Sequence, residues 1–173
     1  MKETILVTGG CKSGKSRHAL ELAGKMSKAN RIFIATSLPL DDEMKARIDR
    51  HRQERDESWK TVEAPIELSV AINENNKEGD VILIDCLTLW INNLLMNIEN
   101  PDVLNQRIHE LIFAIKEAKC PIILVSNEVG AGIVPENKLA RKFRDLAGFT
   151  NQKVAECVDI VIWMVAGIPV TIK

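Results

Sequence analysis

Residues 4–20, TILVTGGCKSGKSRHAL, decide how the rest of the chain is read. An apolar, β-branched run enters a turn spaced G-x-x-x-x-G-K-S, formed by Gly9, Gly14, Lys15 and Ser16. The turn opens onto a helical pattern carrying Ala19, Leu20, Leu22, Ala23 and Met26. Glycines let the backbone curl until its N–H groups face one point, and the helix start adds further unpaired N–H groups. Lys15 brings a full positive charge to the β and γ positions of a polyphosphate, and the Ser16 hydroxyl suits Mg²⁺. A phosphate-binding loop between a strand and a helix is the expectation.

Outward from this loop, short apolar runs recur at 31–36 (RIFIAT), 80–85 (DVILID), 121–127 (PIILVSN) and 159–165 (DIVIWMV). They are apolar throughout rather than alternating, as strands covered on both faces of a parallel sheet should be. Helical patterns lie between them: Ser13 to about Lys28, Asp41 to about Glu57, Pro65 to about Lys77, Pro101 to Lys119 and Pro135 to about Cys157, with Pro65 and Pro101 suited to first helical turns. Alternating strands and helices predict a doubly wound α/β fold, P-loop NTPase-like, with a mostly parallel sheet and helices on both faces. Gly167 and Pro169 in VAGIPVTIK can turn the chain into a final edge strand.

The 173 residues fit a single domain, 1–173. Lys and Arg total 23 against 24 Asp and Glu, so no net basic field favours nucleic acid, and an anionic ligand must be met by local charge. Cys11, Cys86, Cys120 and Cys157 lack CxxC spacing and read as small residues of a reducing compartment, with no disulfide framework expected. No apolar run has the length of a membrane span and MKETILVTGG has no signal-peptide pattern, so a soluble, cytoplasmic protein is expected.

A phosphate loop needs a second carboxylate on a neighbouring strand, and VILID ends in Asp85. Ligands of open α/β sheets gather at carboxyl strand ends, which adds Thr36, Ser37, Asn127 and Glu128 by position. The helix from Asp41 carries Met44, Ile48 and His51 on one face, with Arg47 and Arg55 one turn either side of the histidine. Nearby guanidinium groups disfavour imidazolium, so His51 should remain neutral and nucleophilic while the arginines bind phosphate. The alternative is a half-buried structural histidine on a helix whose arginines pair with Asp49, Glu54, Asp56 and Glu57. His18 and His109 read as surface or packing residues. The loop 128–135, EVGAGIVP, has two glycines and an apolar tip and is expected to line a ligand cleft. The run LWINNLLMNI at 89–98 is the candidate subunit interface.

The segments ILVTGGCKSGKSRHALELA, IATSLPLDDEMKARIDRHRQERDESWKTVEAP, VILIDCLTLWINNLL and VSNEVGAGIVPENKLARKFRDLAGFTNQKVAECVD span nearly the whole chain. Together they resemble the bifunctional adenosylcobinamide kinase and adenosylcobinamide-phosphate guanylyltransferase family of cobalamin biosynthesis. The resemblance implies a homotrimer that binds no nucleic acid. It implies phosphorylation of adenosylcobinamide from a nucleoside triphosphate, ATP or GTP, followed by GMP transfer from GTP to adenosylcobinamide phosphate through a guanylylated histidine. That histidine falls on His51. The implied GTP contacts are Gly9, Gly10, Cys11, Lys12, Ser13, Gly14, Lys15 and Ser16; Ala35, Thr36 and Ser37; Arg52, Gln53, Glu54 and Arg55; Glu63; and Asp85. Two departures stand out. Asp85 replaces the glutamate of better-known members, and Arg50 stands where those members often carry a second histidine beside His51.

Overall fold

A computed structural model describes residues 2–39, 41–53 and 55–173, with Arg47, Arg50 and His51 described by their backbone only. In chain order the elements are β1 (Thr4–Gly9), α1 (Lys15–Met26), β2 (Arg31–Ala35), α2 (Asp42–Gln53), β3 (Trp59–Glu63), α3 (Leu68–Asn75) and β4 (Val81–Asp85). There follow α4 (Leu87–Asn97), α5 (Pro101–Glu117), β5 (Ile122–Val125), α6 (Lys138–Cys157), β6 (Ile160–Val165) and β7 (Ile168–Thr171). They build one sheet in the order β3-β2-β4-β5-β1-β6-β7, in which all neighbours are parallel except β6 and β7.

The apolar runs become strands because both sheet faces are covered. One face sets Leu6, Ile34, Ile84 and Leu124 against α3 to α6, while the other sets Val7, Leu83 and Val125 against Ala19 and Ala23 of α1. Side chains alternate across each strand, so one continuous apolar run feeds two cores. Asn100 caps α5 by accepting from the Asp102 N–H, and Pro101 occupies the first turn as expected. The final hairpin forms as expected. Ala166 and Gly167 take positive φ values of 50° and 86°, the two-residue turn whose twist suits antiparallel strands.

Four expectations are corrected and one strand is added. Strand β3 lies in a stretch assigned to no element, because WKTVE is half polar and only partly covered. Helix α2 ends at Gln53 rather than near Glu57, since Asp56 Oδ1 accepts from the Ser58 N–H and turns the chain toward β3. Pro65 lies outside α3, which begins at Leu68, and α6 begins at Lys138 after an Asn137 cap rather than at Pro135. The proposed interface run is helix α4, whose Trp90, Ile91, Asn93 and Leu94 are buried in the core, so it offers no surface patch beyond Met96.

Candidate active site

The phosphate loop is built from its glycines. Gly9 has φ 148°, and a Cβ there would lie 2.5 Å from the Met164 carbonyl oxygen of β6. Gly14, the N-cap of α1, has φ 91°. Three backbone bonds hold the loop: Ser13 N–H to Gly10 O at 3.3 Å, His18 N–H to Gly14 O at 3.0 Å, and Gly167 N–H, from the β6–β7 turn, to Ser13 O at 3.2 Å. Lys15 is buried, and its Nζ donates to Gly10 O at 2.5 Å, so the ammonium is held inside the curl of the loop. Ser16 follows in the first turn of α1. Cys11 and Lys12 are exposed on the loop and Ser13 is buried.

A second feature lies along the same carboxyl edge of the sheet. Residues from β2, β3, β4, α2 and α4 enclose a cavity of about 440 Å³. Its walls include Ala35, Ser37, Arg52, Arg55, Glu63 and Asp85, the positions assigned by resemblance, together with Met44 and Ile48 of α2. Arg55 lies over the Phe33 ring with its guanidinium carbon 3.7 Å from the centroid, a cation–π contact in the cavity wall. Arg52 pairs with Glu63 at 3.2 Å in an exposed contact, while Asp56 pairs with Arg31 instead. The proposed nucleophile, His51, belongs to the last turn of α2 by its backbone. Its side chain and that of Arg47 lie outside the described residues, as does Glu54. Gln53 is exposed and off the cavity wall.

Thr36 was expected to touch nucleotide, but its side chain is fully buried. Its hydroxyl donates to Cys86 O at 2.7 Å and accepts from Cys86 N–H at 2.8 Å, fastening β2 to the end of β4. Asn93 of α4 adds a second clasp, donating to Thr36 O at 2.8 Å and Pro65 O at 3.1 Å. These two residues hold Asp85 and the cavity floor in place. Burial, reinforced by the Asp85 charge, pushes the Cys86 thiol up to about 12, so it stays protonated and takes no nucleophilic role.

The sheet order also revises the setting of Asp85. Strand β5 separates β4 from β1, so Asp85 stands two strand spacings, roughly 10 Å, from the strand that feeds the phosphate loop. The residues beside β1 are those that leave β5. Asn127 N–H donates to Thr88 Oγ1 at 2.7 Å, Asn151 Nδ2 donates to Asn127 O at 3.2 Å, and Glu128 N–H donates to Gly9 O at 2.9 Å. Beyond them the loop exposes Ile133 and Val134, and Arg144 of α6 donates to Gly130 O at 2.6 Å. Sequence reasoning missed Thr88, Asn93, Asn151 and Arg144. The readable signal was a polar residue inside an apolar helical run, clearest for Asn93. Among the described residues no cluster of three or more His, Cys, Asp or Glu could hold a metal, and no helix is long and apolar enough to cross a membrane.

The family model described as cobinamide kinase / cobinamide phosphate guanyltransferase matches residues 5–172. The bifunctional adenosylcobalamin biosynthesis protein CobU of Escherichia coli is 45% identical over 98% of this chain and 99% of its own length. The protein of the same name from Salmonella typhimurium is 43% identical over the same shares, and CobP of Pseudomonas aeruginosa is 40% identical over 97% and 96%. Among solved structures, a KaiC-like protein from Pyrococcus horikoshii superposes with a TM-score of 0.52 at 16% identity, covering 93% of this chain and 70% of that one, which speaks for the fold alone. An ATPase domain gives the same TM-score at 13% identity over 94% and 69%. With a phosphate loop at one strand end and a cation-lined cavity along the same edge, this chain belongs to the cobinamide kinase / cobinamide phosphate guanyltransferase family and is a bifunctional enzyme of that kind.

Proposed function

We propose that the protein phosphorylates adenosylcobinamide from ATP or GTP and then transfers GMP from GTP to adenosylcobinamide phosphate, with His51 carrying the GMP between donor and acceptor. One observation carries this reading: Arg52, Arg55, Glu63 and Asp85 converge on a single cavity bounded by α2, the helix that holds His51. A neutral imidazole nitrogen attacks the α-phosphorus of GTP, and pyrophosphate leaves with the electron pair of the broken P–O bond. A phosphate oxygen of the corrinoid then attacks the same phosphorus and the P–N bond breaks. Adenosylcobinamide-GDP forms and the imidazole is free again. Arg55, held over Phe33, and Arg52 are suited to the negative charge that develops on the phosphoryl oxygens. Lys15 and the loop N–H groups do the same for the β and γ phosphates, and hence for departing pyrophosphate.

The donor set also fits Mg²⁺. A lone Ser16 hydroxyl without a carboxylate cage matches an ion that keeps several waters and binds mainly through nucleotide phosphates, where it would neutralise their charge. Asp85 belongs to the cavity side and would reach that ion only through water. The exposed apolar tip of the loop 128–135, Ile133 and Val134, is the surface offered to the corrinoid. The exposed apolar row Trp163, Val165, Ile168 and Val170 on one face of the terminal hairpin supports self-association, and a cytoplasmic homotrimer is the assembly we propose. Four free cysteines, two of them buried, agree with a reducing compartment.

Incubation with α-labelled GTP tests the covalent step. We expect a protein-bound, acid-labile, base-stable label that is absent in His51→Ala and leaves wild-type protein on addition of adenosylcobinamide phosphate. An active, folded protein that takes up no label would be a kinase only, with His51 structural. Tight GTP binding without turnover of either corrinoid would instead mark a regulatory module.

A further inference from the structure

We infer that Glu128 is the base that accepts the proton of the corrinoid hydroxyl in the kinase step. The inference rests on the kinase reading above and adds to it a residue beside the phosphate loop.

Three observations converge on Glu128. First, β5 is hydrogen-bonded directly to β1, whereas Asp85 ends a strand one place farther away. Second, the Glu128 N–H donates to Gly9 O at 2.9 Å, which ties this residue to the first glycine of the loop. Third, its side chain is oriented but not neutralised. Gly130 N–H donates to Oε1 at 2.5 Å, and Arg144 secures the Gly130 carbonyl at 2.6 Å. The described residues give Oε2 no donor and Glu128 no ion pair. The carboxylate is exposed, and the same loop exposes Ile133 (97%) and Val134 (63%), apolar surface suited to a large acceptor. A base must lie within hydrogen-bond reach of the proton it takes, so the inference requires an acceptor held on this loop to bring its hydroxyl to Oε2.

The step balances. The corrinoid oxygen forms a bond to the γ-phosphorus while the bond from that phosphorus to the β,γ-bridging oxygen breaks. The nucleoside diphosphate leaves with the electron pair, and the hydroxyl proton passes to Glu128 Oε2. Guanylyl transfer starts from a phosphate oxygen that carries no such proton, so it makes no demand on Glu128.

Glu128→Gln keeps an acceptor for Gly130 N–H but removes the base. We expect kcat of cobinamide phosphorylation to fall by about 10²–10³-fold. The KM for cobinamide, and the Kd for ATP with Mg²⁺ measured by calorimetry, should stay within about twofold. Guanylyl transfer to supplied adenosylcobinamide phosphate should persist, and Glu128→Asp should recover part of the kinase rate. A kinase kcat within about threefold of wild type overturns the inference. So does a parallel loss of nucleotide affinity, which would make Glu128 a nucleotide or metal ligand, and so does loss of both activities with a lowered Tm. If the wild-type protein itself phosphorylates no cobinamide, the kinase reading fails and this inference fails with it; an active wild type beside an equally active Gln variant rejects Glu128 alone.

Discussion

The phosphate loop and the cavity bounded by α2 share one edge of one sheet, yet they are held in opposite ways. The loop is clamped by backbone bonds and by Gly9, which leaves no room for a Cβ, and the β6–β7 turn lies against it. The cavity has a fixed floor, clasped by Thr36 and Asn93, under a light roof: no described residue of α2 is fully buried, and only Met44 and Ile48 are half-buried. Displacing α2 therefore costs little apolar burial, whereas deforming the loop breaks packed backbone. Polyphosphate neutralisation needs a fixed array of donors. A nucleophile that must meet GTP and then a bulky corrinoid phosphate needs a wall that can yield.

The largest effects should divide along this line. Lys15→Ala removes charge used in both reactions, so kinase turnover and pyrophosphate release should each fall by about 10³-fold. His51→Ala should abolish labelling by α-labelled GTP and leave cobinamide phosphorylation intact, read from the appearance of phosphorylated cobinamide. A His51 variant that loses both activities would merge the two regions into one catalytic unit.

Next in size is a single methyl group. Gly9→Ala drives a Cβ onto the Met164 carbonyl at 2.5 Å, so we expect about 1–3 kcal/mol of destabilisation, visible as a lowered Tm, together with weakened nucleotide binding by calorimetry. An unchanged Tm would show that the loop is as yielding as the cavity. On the cavity side, Arg55→Ala should raise the KM for GTP about 10- to 100-fold with little change in Tm. Glu63→Gln, which breaks an exposed ion pair, should move stability by less than about 1 kcal/mol. A larger stability loss at Glu63 would mean that the roof is anchored more firmly than its exposure implies.

The smallest effect concerns the rigid side alone. Hydrogen bonds from the Thr4 hydroxyl and N–H hold the Asp159 carboxyl below its ordinary 3.8, joining the starts of β1 and β6. A depressed folded-state value stabilises the fold above the unfolded value and loses that contribution as pH falls through the folded one. The Tm difference between wild type and Asp159→Asn should thus be constant near neutrality and shrink below about pH 3.8. A difference that persists in acid would assign the contact to packing rather than charge.

Legibility followed the same division. The loop could be read at residue level because its chemistry is local: glycine, lysine and serine at fixed spacing after an apolar strand. The five buried strands and the terminal hairpin were legible for a similar reason. Strand β3 was not, since WKTVE covers only one side of a sheet edge and carries no apolar run. The clasps made by Thr36 and Asn93 were not legible because their partners, Cys86 and Pro65, are distant in sequence, and position at a strand end does not reveal such a contact. The setting of Asp85 depended on strand order, which five similar apolar runs cannot specify.

The bond from Gly167 N–H to Ser13 O has a further meaning for the order in which the protein is made. Residues 9–16 leave the ribosome well before residue 167, which supplies the turn that lies against them. A nascent chain holding both helix α1 and the cavity strands would still lack the brace of its phosphate loop. Synthesis proceeds at about 5–20 residues per second, so this loop would wait about 8–30 seconds for its support. The loop would thus gain this brace only after every strand of the cavity has been made.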